Sequence, residues 1–152
     1  MNRILGFYDR GVEIAASRIP EAFALFLLRI ALAGVFWRSG QTKLVEGSLF
    51  RIDPSQYDLF RSEFSGLPLD PVIAVPLTTF AEHFFPILLL FGLATRFSAG
   101  ALLVMTLVIQ IFVFPDAWWP VHSLWVAMAA ILIVRGGGLF SFDTLLARVR
   151  AK

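Results

Sequence analysis

The chain has 152 residues, of which 58% are hydrophobic and 16% are charged, and its formal net charge is +2. Soluble domains carry about a quarter charged residues, so this balance, with a mean hydropathy of +0.77, indicates an integral membrane protein rather than an ordinary soluble domain. The chain contains no cysteine, which excludes disulfides, thiolate metal sites and dithiol redox relays within the chain itself. The basic residues form no run with interleaved aromatic residues, so no nucleic-acid partner is predicted.

The first predicted element is an amphipathic helix at the N-terminus. Apolar residues recur there at three- or four-residue spacing and form one apolar stripe, which consists of Ile4, Tyr8, Val12, Ala15 and Ile19. Charged residues interrupt the same stretch, so it is not predicted to be a signal peptide. The fold prediction places this helix in the membrane interface. The alternative left open is a cytoplasmic helix packed on the bundle.

Four apolar segments predict four transmembrane helices, because one crossing needs about 20 residues. The predicted spans are residues 21–37, 72–94, 97–114 and 118–134. The outer connection between the first two spans, residues 38–71, is the only long one. Within it, Asp53 and Ser55 predict the start of a short amphipathic helix. Ser141 predicts the capped start of a basic helix that ends near Arg150. The predicted fold is therefore all-α, a single-domain four-helix membrane bundle.

The distribution of Lys and Arg predicts the orientation of this bundle. One of these residues, Arg29, lies within a span, eight lie on the side of the two termini, and four lie on the opposite side. Cytoplasmic loops are enriched in Lys and Arg. The prediction is an inner-membrane protein with both termini in the cytoplasm.

Five polar side chains are predicted at membrane depth, where ionisable residues usually face the bundle interior and have a partner. They are Arg29, Glu82, His83, Gln110 and His122. Arg29 and Glu82 fall near the middle of adjacent antiparallel spans, so they are predicted to form an ion pair. That pair is either purely structural, fixing helix register, or part of a site. Together the five residues form a polar series from the outer surface to the midplane, which suits an amphipathic ligand or a proton path.

A metal site is not predicted from these side chains. His83, His122 and Glu82 are acceptable ligand types, but the two histidines lack the i, i+4 spacing of a helical metal motif. The sequence also contains no phosphate-cradling loop, serine nucleophile motif or paired-carboxylate motif.

Three stretches resemble the DoxX family of small four-helix membrane proteins. They are an arginine-bearing first helix with a glycine-lysine exit, a glutamate helix followed by a glycine-to-arginine turn, and a glycine-rich end closed by serine and aspartate. In this chain they correspond to residues 28–44, 81–96 and 136–143. Their order and spacing carry the resemblance, which covers about residues 22–145. The long outer loop, His83 and the pair Trp118-Trp119 depart from the family pattern.

The resemblance implies a link to membrane oxidoreductase systems, including thiosulfate–quinone chemistry, and to oxidative, thiol or metal stress. The first hypothesis is an accessory or subunit of such a system, at most a quinone-linked oxidoreductase subunit, with a quinone as the ligand between helices. Arg29, His83 and Gln110 would donate hydrogen bonds, and Glu82 or His122 would pass protons. In this hypothesis the protein itself brings no redox centre, so the electrons would come from a partner. Because the chain contains no cysteine, any thiol redox step would be carried out by a partner or by the quinone.

The second hypothesis is non-enzymatic: a membrane scaffold, or a transporter of a small solute or metal. The expected partners are membrane lipid and either another protein or further copies of the chain. A transporter of this size would need to oligomerise, because four short helices enclose only a narrow conduit. The two hypotheses differ in one structural respect, which is whether an apolar cleft lies beside Glu82.

Overall fold

In a computed structural model of the chain, residues 10–14 and 17–151 are described. Six helices of eight residues or more lie within the second range: α1 (Arg18–Gln41), α2 (Ser55–Ser62), α3 (Pro71–Phe91), α4 (Thr95–Phe112), α5 (Ser123–Arg135) and α6 (Phe142–Arg150). A 3₁₀ turn (Pro115–Ala117) and a π-helical turn (Trp118–His122) lead into α5. Residues 10–14 are helical, and the rest of the predicted N-terminal amphipathic helix falls mainly outside the described residues.

Four segments are long and apolar enough to cross a membrane: α1, α3, α4 and Pro115–Arg135. The prediction of an all-helical membrane bundle with four long apolar helices is therefore confirmed. The first helix differs from its predicted bounds, because α1 continues to Gln41 instead of ending near residue 37.

The ends of α3 and α6 follow from local sequence. Asp70 precedes α3 and its side chain accepts a hydrogen bond from the amide of Val72 at 2.8 Å, while Pro71 occupies the first turn, where a missing N–H costs nothing. Gly92 ends α3 with a φ of +65°, a conformation that glycine adopts without steric cost. Ser141 caps α6 as predicted, accepting from the amide of Thr144 at 3.3 Å.

The four spans form a closed ring. Helix α1 packs on α3 and α5, and α4 packs on the same two helices. The buried core is made of Leu25, Leu32, Ala33, Phe36, Leu89, Ala99, Leu102, Ala129 and Leu132. The outward surface is also apolar, with exposed side chains that include Leu27, Ile30, Phe80, Phe84, Ile87, Val104, Ile111, Leu124 and Ile131. An apolar exterior of this extent is compatible with acyl chains and not with water.

The long connection between α1 and α3 is a folded cap on one end of the bundle, here called the α2 end. Phe60 of α2 is buried against Ala74 and Val75 in the first turns of α3. Asp53 accepts a hydrogen bond from the amide of Ser55 at 2.9 Å, which marks the helix start predicted from these residues. The hydrogen bonds from Ser55 hold the pKa of the Asp53 carboxyl below its usual value. The opposite end, where α6 lies, is called the α6 end.

Candidate functional site

Arg29 is fully buried, and its partners are backbone carbonyls. Its Nη1 donates to the carbonyls of Leu89 at 3.2 Å and Leu90 at 3.4 Å, and its Nη2 donates to that of Phe140 at 2.5 Å. Leu89 and Leu90 lie in the last turn of α3, whose carbonyls carry the negative end of the helix dipole. The carbonyl of Leu89 also accepts from the amide of Gly92 at 3.0 Å. Arg29 therefore stabilises the end of α3 and holds the segment that precedes α6.

The prediction that Arg29 and Glu82 form an ion pair is wrong. Helices α1 and α3 are antiparallel, and Ser39 of α1, ten residues after Arg29, is the residue that reaches Glu82. At about 1.5 Å per residue, Arg29 lies roughly 15 Å from Ser39 along the helix axis. The prediction assumed that the two spans start and end level. In fact α3 continues well past the end of α1 at the α2 end, where its first turns pack on α2.

Glu82 instead forms an ion pair with Lys43. The Lys43 Nζ lies 2.6 Å from Oε2 of Glu82, and the two residues are 7% and 3% exposed. The Ser39 hydroxyl donates to the other carboxylate oxygen at 3.0 Å and accepts from Lys43 Nζ at 3.3 Å. A third contact, from Lys43 Nζ to the Ser39 carbonyl, is 3.5 Å long and so at the outer limit of a hydrogen bond. One ammonium N–H therefore has only a weak partner.

The sequence contains a pattern that predicts the burial of Lys43, which the counting of charges did not take into account. Counting Lys and Arg for orientation placed Lys43 in a solvated loop. Yet the buried face of α1 recurs at three- and four-residue intervals, and Lys43 continues it three residues after its last member. The buried face consists of Ala22, Leu25, Arg29, Leu32, Ala33, Phe36 and Gly40. Extending this periodicity beyond residue 37 predicts that Lys43 faces the bundle.

His122 and Gln110, both predicted site residues, are hydrogen-bonded to each other. Gln110 donates from Nε2 to the carbonyl of Pro115 at 2.6 Å, so its own carbonyl oxygen faces His122. His122 Nδ1 lies 2.7 Å from that oxygen and must be the donor. In the neutral imidazole, Nε2 then remains as an acceptor. The His122 ring is buried and packs on Trp125, with ring centroids 5.0 Å apart.

The π-helical turn before α5 is what positions His122. The amide of Ser123 donates to the carbonyl of Trp118, five residues earlier, which is the spacing of a π-helix. Pro120 within the turn has no N–H to donate. Short π-helical turns widen a helix locally and are frequent at functional sites. The sequence prediction of a regular helix from this point missed the turn.

Glu82, Lys43, Ser39 and His122 line a single cavity of about 370 Å³. It lies in the half of the bundle next to the α2 end. Most of its wall is apolar, and the apolar lining includes Phe36, Phe60, Phe64, Leu77, Met105 and Trp125. The cavity therefore combines a mainly apolar wall with two polar groups: the Lys43–Glu82 ion pair on one side and the His122 imidazole, which comes from the turn before α5.

His83 lies outside this cavity. Its Nδ1 donates to the carbonyl of Thr79 at 2.7 Å, and its Nε2 lies 2.9 Å from the amide nitrogen of Gln41, from which it accepts. The ring meets Trp37 edge-on, with centroids 5.0 Å apart. Both ring nitrogens are used, so His83 connects α3 to the end of α1. A side chain at Gly40 would collide with the His83 ring, which explains a glycine at this contact.

The structure thus separates the five predicted site residues into three groups. Glu82 and His122 line the cavity, and Gln110 supports His122 from behind. His83 joins two helices, and Arg29 lies at the other end of the bundle. Sequence reasoning did not anticipate Lys43 and Ser39, which complete the polar cluster around Glu82.

Comparisons with known proteins give the family. The sequence profile of the DoxX family matches residues 24–115, a region that contains Arg29, Ser39, Lys43 and Glu82, while His122 lies beyond it. An uncharacterised protein of Haemophilus influenzae is 32% identical over 146 residues, which covers 86% of this chain and 88% of that protein. No solved structure matches the chain significantly. The predicted resemblance is confirmed, and the chain belongs to the DoxX family.

Proposed function

We propose that this membrane protein binds a quinone-type ligand in the cavity beside Glu82 and acts as a subunit or accessory of a membrane oxidoreductase or stress-response system. One observation carries the proposal: an apolar cavity between spans, into which a buried ion pair and an imidazole project. Small-molecule sites in proteins combine a mainly apolar lining with a few polar groups in this way.

The size and lining of the cavity fit a flat, mostly apolar ligand with polar ends. Its volume of about 370 Å³ falls toward the lower end of the range of small-molecule sites, about 300–1,000 Å³. Phe60, Phe64 and Trp125 supply aromatic faces on which a ring can stack. The polar groups enter from the ion pair on α1 and α3 and from His122. A quinone ring has this pattern, with carbonyl oxygens at opposite edges and an apolar tail.

The two polar sides offer different hydrogen-bonding groups. Lys43 holds a weakly engaged N–H that can donate to a carbonyl oxygen, and Glu82 keeps the ammonium group in place. His122 offers an acceptor at Nε2, because Gln110 fixes the proton on Nδ1. A bound quinone supplies a two-electron, two-proton redox couple. In this proposal the electron donor is a protein partner, and any thiol redox step also belongs to a partner or to the quinone, since the chain has no cysteine.

The non-enzymatic alternative is favoured by a different observation. Glu82, Lys43 and Ser39 form a nearly closed network in which each polar group has a partner. A network of this kind also forms when an ion pair serves only to fix the register of two helices. Under this alternative the protein is a scaffold, or a small-solute or metal transporter that acts as a homo-oligomer.

A cavity-filling substitution tests the proposal. Ala101 of α4 lines the cavity, whereas Ala130 of α5 is exposed on the outer surface. We expect a quinone to co-purify with the wild type at a constant molar ratio. Ala101→Phe should lower that ratio roughly fivefold or more, because the added ring occupies the ligand volume. Ala130→Phe, the matched control, should leave it unchanged. The measurement is organic extraction of detergent-purified protein followed by mass spectrometry, with tryptophan fluorescence as the check on folding.

Other outcomes of this experiment are equally informative. An absence of quinone from the folded wild type would contradict the proposal. Equal ratios in all three proteins would show that the quinone is carried by the surrounding lipid and not by the cavity. Either result would favour the scaffold or transporter alternative.

We also propose that the α6 end of the bundle faces the cytoplasm of a cell with this protein in its inner membrane. Supporting this, Arg18, Arg96, Arg135 and Arg148 cluster at that end, in line with the enrichment of cations in cytoplasmic loops. The cysteine-free chain permits a direct test with Ser55→Cys and Ala151→Cys, at exposed positions of opposite ends. An impermeant maleimide should label only Ser55→Cys in intact cells. The reverse labelling pattern would invert the orientation.

A further inference from the structure

A second and larger concavity opens at the α6 end of the bundle, with a volume of about 860 Å³. It lies where α1 and α4 begin and where α5 ends, and α6 forms one wall. We call it the arginine cleft. It shares no lining residue with the cavity beside Glu82. Because it lies among the ends of the spans, it is placed at the boundary between membrane and water in either orientation of the protein.

The charge of the arginine cleft is predominantly positive. Four arginines line it, namely Arg18, Arg96, Arg135 and Arg148, against two acids, Glu21 and Asp143. Both acids are already engaged. Asp143 accepts from the amides of Ala94 and Thr95 at 2.7 and 2.8 Å, and Glu21 pairs with Arg135. An anion entering the cleft therefore meets more cationic groups than the acids neutralise.

Several hydrogen-bond donors in the cleft are not used by the protein. Arg18 and Arg148 are exposed, and neither side chain makes a hydrogen bond or ion pair within residues 10–14 and 17–151. Arg96 directs Nη1 to the carbonyls of Ile133 and Val134, at 2.5 and 2.8 Å, which leaves its remaining N–H groups next to Gly136. The guanidinium groups thus face the cleft from more than one side.

The inner wall of the cleft contains an unpaired hydroxyl. Thr95 is fully buried and lines the cleft, and its Oγ1 has no hydrogen-bond partner among the residues that the structure describes. A side chain at Gly137 would collide with this hydroxyl and with Ser141. A buried hydroxyl without a partner costs free energy, so a ligand or water that bonds to it is stabilising.

We propose that the arginine cleft binds a phosphate ester, that of an anionic phospholipid headgroup. The planar guanidinium group matches two oxygens of a phosphate with two parallel N–H donors. The cleft has room for a headgroup larger than inorganic phosphate. Exposed Phe97 lines the cleft and suits the attached acyl chains. Further exposed apolar side chains directly neighbour lining residues in the sequence, namely Ile19, Phe23, Phe142 and Val149.

The test compares two lipids and two double variants. Detergent-purified protein is titrated with dioleoyl phosphatidylglycerol or dioleoyl phosphatidylcholine, and bound lipid is counted by native mass spectrometry. We expect the wild type to prefer phosphatidylglycerol. Arg18→Gln with Arg148→Gln should reduce that preference by about tenfold or more, because each arginine near the surface contributes to anionic-lipid binding. Arg38→Gln with Arg51→Gln removes the same charge from exposed positions at the α2 end and should keep the preference.

A parallel titration with inorganic phosphate identifies the source of the anion. If phosphate raises the Tm of the wild type but not of the cleft variant, while both lipids bind equally, the cleft binds a phosphate group that is not part of a lipid, and the assignment to a phospholipid is overturned. Equal binding of both lipids by all three proteins, with no effect of phosphate, would overturn the proposal. So would an equal loss of preference in both double variants, since that would reflect net charge alone. These readouts are independent of the quinone extraction.

Discussion

Replacement of Arg29 by leucine is expected to lower the Tm of the purified protein by about 6–12 °C, given about 2–4 °C per kcal/mol for a chain of this size. The reason is that Arg29 supplies the hydrogen bonds of three carbonyls, those of Leu89, Leu90 and Phe140. Hydrogen bonds from a charged donor are worth about 1.5–3 kcal/mol each. Removing the buried cation recovers part of this loss, so about 3 kcal/mol of the free energy of unfolding should disappear.

The measurement is thermal unfolding in mild detergent, followed by tryptophan fluorescence. Arg38→Leu is the matched control, because it is an exposed arginine of the same helix. Arg29→Lys should fall between the two, since lysine keeps the charge but cannot reach several carbonyls with a planar fork. A Tm for Arg29→Leu within a degree or so of that of Arg38→Leu would contradict the role assigned to Arg29.

Breaking the ion pair between Lys43 and Glu82 should lower the free energy of unfolding by a similar amount. Lys43→Met leaves a buried carboxylate with only the Ser39 hydroxyl as partner. Removing one member of a buried pair typically costs about 3–5 kcal/mol. In the double variant Lys43→Met with Glu82→Gln, no buried charge remains, so at least half of this loss should be recovered. The ion pair would then be required for register and neutrality and not for net stability.

A double-mutant cycle measures this interaction directly. The free energies of unfolding of the wild type, Lys43→Met, Glu82→Gln and the double variant are compared in detergent. We expect the double variant to be clearly more stable than the sum of the single losses predicts. Additive losses would contradict the ion pair, in which Lys43 Nζ lies 2.6 Å from Oε2 of Glu82. The same four proteins, assayed for quinone, separate a structural pair from one that also holds the ligand.

The secondary structure was predictable because it depends on local pattern. Length and hydropathy predicted four membrane-spanning helices, and short-range capping chemistry predicted the helix starts at Ser55 and after Ser141. These signals act over a few residues and need no knowledge of the rest of the chain. The π-helical turn that ends at His122 was missed, because its hydrogen-bond spacing leaves no periodic mark in so short a segment.

The partners of the buried charges were less predictable, because they depend on how far one helix slides past another. The sequence indicated that Arg29 and Glu82 are buried, and both are. It did not indicate the offset between α1 and α3, in which Ser39 and not Arg29 lies level with Glu82. If this offset is predicted wrongly, the polar partners predicted across the two helices are wrong as well. The carbonyls that bind Arg29 carry no side-chain signature at all.

The position of Phe140 has a consequence for the order in which the protein is assembled. Arg29 belongs to the first of the four spans, but its shortest hydrogen bond is to a carbonyl 111 residues later, beyond the fourth span. The segment after that carbonyl is held in turn by Asp143, which bonds to the start of α4. During biosynthesis, α1 therefore carries a charged side chain whose final partner emerges only after all four spans have left the ribosome. Of the four spans, α1 precedes the other three in the chain, yet the hydrogen bonds of its buried arginine are complete only after the fourth.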